Sequence, residues 1–114
     1  MRAKILNASA GSGKTYQLAY KYVRDVIDQP HLYRHILAVT FTNKATEEMK
    51  SRILKEIHTL ASGAPSPYLT QLCGELRLDE QSVRRRAAEV RSKILHDYSR
   101  FTVLTIDTFF QRIL

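Results

Sequence analysis

Short apolar runs alternate with stretches in which apolar residues return every third or fourth position. Ala3 to Ala8 is a largely apolar run closed by a Gly/Ser cluster, the pattern of a buried strand entering a loop. From Lys14 the residues Leu18, Ala19, Tyr22, Val23 and Val26 fall on one helical stripe until Pro30 stops it. His35 to Phe41 carries no charge within the apolar HILAVTF run and predicts a second strand. Ala45 to Leu60 places Met49, Ile53, Ile57 and Leu60 on one face with charges elsewhere, predicting a second amphipathic helix. After the SGAPSP loop, Tyr68 to Leu78 and Glu80 to Tyr98 both read as helices, the latter capped by Asp79. Phe101 to Ile106 predicts the third strand, and a last helix is expected to start near Thr108.

Strands alternating with helices imply an α/β class, with a small parallel sheet covered by helices on both faces. Three strands leave sheet edges exposed, a liability for self-association. At 114 residues there is room for one domain, and 44% apolar residues set it apart from disordered and fibrous classes. The formal charge of +7 points to an anionic partner, without distinguishing nucleotide, nucleic acid or lipid. Cys73 stands alone, so an intrachain disulfide is excluded and a reducing, cytoplasmic setting is expected. It reads as a small buried apolar residue. No run approaches the roughly 18 apolar residues of a membrane span, and no partner membrane is expected.

Ala8 to Thr15 reads ASAGSGKT between a predicted strand and a predicted helix, the context a phosphate-binding loop requires. Gly11 and Gly13 allow backbone angles that let successive N–H groups of Ser9, Ala10, Gly11, Ser12 and Gly13 converge on phosphate oxygens. The helix amino terminus adds its partial positive charge. In this chemistry Lys14 reaches the β- and γ-phosphates and the Thr15 hydroxyl ligates the bridging magnesium, making Thr15 the metal residue. Tyr16 is a candidate to stack on the base, or a partly buried helix residue. A phosphate loop alone does not choose among kinases, GTPases and motors.

At the second strand end, Phe41 is either core or a surface for a base. Asn43 either caps the helix or bonds a phosphate, and Lys44 is either solvated or neutralises one. The stretch TFTNKATEEMKSRI, Thr40 to Ile53, resembles the motif after the second strand of UvrD-like superfamily 1 DNA helicases. That resemblance implies that Thr40, Phe41, Thr42, Asn43 and Lys44 line a single-stranded DNA path. TIDTFFQRIL, Thr105 to Leu114, resembles the next helicase motif and adds Thr105 to the path, with Asp107 where His is usual in the family. An acid there would repel phosphate, so Asp107 is expected to cap the last helix. A rival reading takes VLTID as a Walker B strand whose Asp107 holds magnesium. The run Arg84 to Arg86, with Arg91 and Lys93, reads as a solvated face or as an addition to the DNA path.

The phosphate loop near the start and the long, mostly helical stretch at about 63–100 resemble the RecB/AddA helicase-nuclease branch. The resemblance implies that residues 1–114 form the N-terminal part of a first RecA-like motor domain, the stretch being its insertion. It implies ATP and Mg2+ as cofactors. The partners it implies are single-stranded DNA, the remaining helicase domains and a partner subunit. The chain's close on FFQRIL without a helix stop reads as truncation. Such a segment is expected to bind ATP without efficient turnover, since no arginine finger or certain magnesium acid is recognisable. A small P-loop phosphotransferase and a nucleic-acid-binding module with a vestigial loop are the alternatives.

Overall fold

The computed structural model describes residues 4–8 and 12–113. Its strands are β1 (Lys4–Ala8), β2 (Ile36–Thr40) and β3 (Thr102–Thr105), paired parallel in the order β1-β2-β3. Its helices are α1 (Ser12–Asp28), α2 (Asn43–Ser62), α3 (Leu69–Leu76), α4 (Glu80–His96) and α5 (Ile106–Ile113). Short 3-10 segments at Pro30–Arg34 and Tyr98–Arg100 lead into β2 and β3.

A strand order that follows chain order has a topological consequence. Successive right-handed crossovers moving in one direction return over the same face of the sheet. Accordingly α1 and α2 pack side by side, and α4 packs on both. Those helices share the face of the sheet that carries the main core. The central strand shows the division. Ile36 and Ala38 join the main core, while Val39, on the opposite pleat face, is buried outside it.

The core stripe of α1 is the anticipated one, with Ala19, Tyr22, Val23 and Val26 all fully buried. Met49, Ile53, Ile57 and Leu60 of α2 meet Val83, Ala87, Val90 and Ile94 of α4, three- and four-residue repeats facing each other. Cys73 of α3 is half-buried against this core and is a free thiol. Helix ends are closed by local chemistry. Gly63 ends α2 at φ 87°, a left-handed angle that favours glycine. Asp79 caps α4 by accepting from the Ser82 N–H at 2.9 Å, as expected from its position.

Three arginines on α4 have separate tasks. Arg84 Nη1 donates to the Leu60 and Ala64 carbonyls, both at 3.0 Å, closing the carboxyl end of α2. Arg86 Nη1 donates to Ile27 O at 3.3 Å and Asp28 O at 2.8 Å, closing α1. Arg85 is exposed. The Arg84–Arg86 run is thus neither one solvated face nor one anion stripe, because two of its members bind the electronegative ends of other helices. No described helix is long and apolar enough to cross a membrane.

Candidate nucleotide and nucleic-acid site

Parallel strands end on the same edge of a sheet, and here their last residues are in register. Ala8 pairs with Thr40, and Thr40 with Thr105. Strands lie about 4.8 Å apart, so this row spans roughly 10 Å. Each of the three segments singled out in the sequence follows, along the chain, one residue of that row.

Ser9, Ala10 and Gly11 lie outside the described residues, as do the side chains of Ser12, Lys14 and Thr15. The described backbone places the amino terminus of α1 at Ser12, soon after the end of β1 at Ala8. The sequence from Ser12 through Gly13, Lys14 and Thr15 is therefore the first turn of a long helix, where N–H groups lack intrahelical acceptors.

Tyr16 is the first described side chain of that helix, and it is half-buried and tied down. Its backbone oxygen accepts from the Tyr68 hydroxyl at 2.9 Å, and the two rings meet edge-on at 5.0 Å. The Arg52 guanidinium sits 5.3 Å above the Tyr16 ring, so one ring face already holds a cation. Arg52 belongs to α2, so the contact links the helix after the phosphate loop to the helix after β2. Sequence spacing could not expose this pair, which are 36 positions apart by number (52 − 16). Beside Tyr16 opens a polar cleft of about 540 Å³ between α1 and α3, lined by Tyr20, Lys21, Gln71 and Glu75. Hydrogen bonds from Gln71, Tyr20 and Arg24 hold the Glu75 carboxyl below its usual range.

At the end of β2 two neighbours face opposite ways. Thr40 is fully buried, and its hydroxyl shares a 2.6 Å hydrogen bond with the Thr46 hydroxyl and lies 3.2 Å from Thr42 O. Phe41 is 50% exposed. Thr40 therefore offers no surface to a DNA phosphate, which corrects its place among the contact residues: its polar atom fastens β2 to α2. Phe41 is not core. Thr42, not Asn43, caps α2, its Oγ1 accepting from the Ala45 N–H at 3.0 Å. Asn43 and Lys44 are exposed in the first turn of α2.

The end of β3 departs from expectation in the same way. The helix starts at Ile106, and its cap is Thr105, whose Oγ1 accepts from the Thr108 N–H at 3.3 Å and bonds the Thr108 hydroxyl at 3.0 Å. Asp107 is an exposed residue inside the first turn, where an acid complements the helix dipole without capping it. This position also disfavours the Walker B alternative. The acid lies inside the first turn of α5 rather than at the end of its strand.

One residue was missed altogether. Phe110 of α5 is 51% exposed and meets Phe109 at 5.8 Å. Phe41 and Phe110 are thus half-exposed aromatics carried from adjacent strand ends. Among the described residues no group of three or more His, Cys, Asp or Glu side chains is placed to hold a metal ion.

Residues 2–114 match the family model described as the UvrD/REP helicase N-terminal domain. The "RecBCD enzyme subunit RecB" of Chlamydia trachomatis is 33% identical over 112 residues, covering 86% of this chain and 11% of that protein. Its namesake in Escherichia coli is 30% identical over 119 residues, covering 97% and 10% respectively. An ATP-dependent helicase/nuclease protein of Exiguobacterium sibiricum is 41% identical over 63 residues, covering 54% and 5%. The chain spans about a tenth of the length of the RecB relatives it matches. No solved structure matches it.

Proposed function

Because the chain belongs to the UvrD/REP helicase N-terminal domain family, we propose that it is the nucleotide-binding front of the first RecA-like motor domain of an ATP-dependent DNA helicase or helicase-nuclease. The observation that carries this reading is the registered row Ala8, Thr40 and Thr105. It brings the strand end that precedes the phosphate-loop segment into line with two strand ends followed by exposed aromatic, amide and ammonium groups, which supports coupling of ATP to a DNA strand.

In this reading the N–H groups from Ser9 to Gly13 and the Lys14 ammonium hold the ATP phosphates, and Thr15 ligates Mg2+. Magnesium would neutralise the phosphate charge. The base extends toward Tyr16 and the adjoining cleft, where the ring face opposite Arg52 is the stacking surface. Lys44 and Asn43 neutralise and bond strand phosphates, while Phe41 stacks a base. Phe110 joins Phe41 as a second stacking surface. Thr40 and Thr105 support the path from beneath by fixing strand ends to helices. The remaining motor domain, a partner subunit of the kind implied by the relatives' names, and a cytoplasmic setting complete the proposal.

Nucleotide affinity and phosphate release, measured on one preparation with and without single-stranded DNA, test it. The expected result is magnesium-dependent ATP binding that Lys14→Ala weakens by about 1.5 to 3 kcal/mol, with no helicase-like turnover. An arginine finger alone typically contributes about 10³ to 10⁵ in rate, and none is recognisable in the chain. Absence of nucleotide binding would leave a vestigial loop. Fast DNA-stimulated hydrolysis abolished by Lys14→Ala would instead restore Asp107 as a magnesium acid.

A further inference from the structure

Between α2 and α4, remote from the row of strand ends, lies a small groove of about 190 Å³ that the nucleotide and DNA reading does not use. Two antiparallel stripes border it, with Lys50 just beyond the lining and over one lining residue, Tyr98. Lys50, Leu54 and His58 follow one another at four-residue spacing on α2, and Arg91, Leu95 and Tyr98 do so at spacings of four and three from α4 onward. Ile57 and Ile94 form the floor.

The ends of the groove carry cations and its middle is apolar. At one end the Lys50 ammonium lies 5.3 Å over the Tyr98 ring. At the other, Arg91 Nη1 stands 3.2 Å from His58 Nδ1, and a guanidinium can only donate, so the imidazole nitrogen accepts. Among the described residues, none lining the slot is an acid. Leu95 is 69% exposed and Tyr98 46%. A single exposed leucine is ordinary, but an exposed leucine, a half-exposed tyrosine and a leucine-lined slot in one row form an apolar patch of the kind that marks a contact surface.

We propose that this groove docks an acidic amphipathic helix of a partner polypeptide, with one apolar side chain in the slot and carboxylates against Lys50 and Arg91. The volume is below the roughly 300 Å³ at which drug-sized ligand sites begin, and suits a side chain rather than a cofactor. The aliphatic floor favours an inserted side chain over a tracked phosphate backbone. Lys50 already covers a face of Tyr98, the only aromatic ring of the lining apart from the His58 imidazole that holds Arg91. A second copy of this chain is the wrong occupant on charge, since each carries +7. Leu54 stands eleven residues into α2, about 16 Å along its axis from Asn43, so the surface is separate from Phe41 and Lys44.

The test uses the full chain, labelled with nitrogen-15, and two short helical peptides with identical leucine positions, one with glutamate and one with lysine on the flanks. The glutamate peptide is expected to shift the amides of Leu54, Arg91, Ile94, Leu95 and Tyr98 selectively. Leu95→Ser should weaken it on the order of tenfold or more without changing thermal stability, the leucine being exposed. The Lys50→Glu, Arg91→Glu double variant should reverse the preference toward the lysine peptide, which a merely hydrophobic or structural patch would not do. Equal binding of both peptides, shifts spread away from these residues, or displacement of the peptide by oligothymidylate at the same amides would each overturn the proposal.

Discussion

The hydroxyls of Thr40 and Thr46 lie 2.6 Å apart, joining the last residue of β2 to the first turns of α2. Thr40 has no solvent exposure, so its oxygen depends on this pair and on the Thr42 and Leu104 carbonyls at 3.2 and 3.4 Å. Thr40→Val keeps the shape and removes the hydroxyl. It is expected to destabilise the fold by about 0.5 to 1.5 kcal/mol in urea unfolding, while changing DNA affinity far less than Phe41→Ala. An unchanged midpoint with lost DNA binding would return Thr40 to the contact surface.

The exposed residues at the same edge carry the opposite expectation. Phe41→Ala and Phe110→Ala should each lower single-stranded DNA affinity by about 1 to 3 kcal/mol with little effect on stability, because each ring is half in solvent. Lys44→Ala should lower affinity and also flatten its dependence on salt, since one fewer counterion is released. Fluorescence anisotropy across a salt series measures both slopes and midpoints. A salt-independent affinity would contradict a phosphate path here.

Arg84 presents a stability prediction that its neighbour does not share. Its side chain is 17% exposed and closes α2 through two carbonyls, so Arg84→Met, which keeps an apolar stem, should cost about 1.5 to 3 kcal/mol. Arg85→Ala, at an exposed position of the same helix, should stay within about 0.5 kcal/mol. Paired urea melts of the two variants decide whether the run acts by capping helices or by net charge.

Buried tyrosines predict alkaline sensitivity. Burial pushes the Tyr22 and Tyr68 hydroxyls well above their ordinary value, and burial with the Glu75 hydrogen bond does so for Tyr20. A pKa raised in the folded state means that the unfolded chain loses its proton first. The stability these groups contribute is therefore complete below about pH 10 and declines as pH rises beyond it, by up to about 1.4 kcal/mol per unit for each fully buried ring. Tyr22→Phe should reduce that slope. At neutral pH it should also stabilise or leave the fold unchanged, because the buried Tyr22 hydroxyl has no hydrogen-bond partner among the described residues. A loss above about 1 kcal/mol would mean that this hydroxyl has a partner after all.

The sequence by itself determined the order of strands and helices, the core stripes of α1 and α2 and the Asp79 cap. Each depends on near neighbours in the chain: a three- or four-residue repeat, or a side chain reaching the N–H three positions on. The tertiary structure alone decided which polar residues at strand ends face outward. Thr40 and Phe41 are adjacent, and nothing local distinguishes the buried hydroxyl from the exposed ring until β3 and α2 close over one of them. It also decided that α1, α2 and α4 pack together, since that follows from strand order rather than from any stripe. Arg84 and Arg86 show the reason most clearly: as sequence they are members of one basic run, but their acceptors lie 24 and 59 positions away. A long cationic side chain takes its role from whichever carbonyls the fold brings within reach, and periodicity contains no information about those.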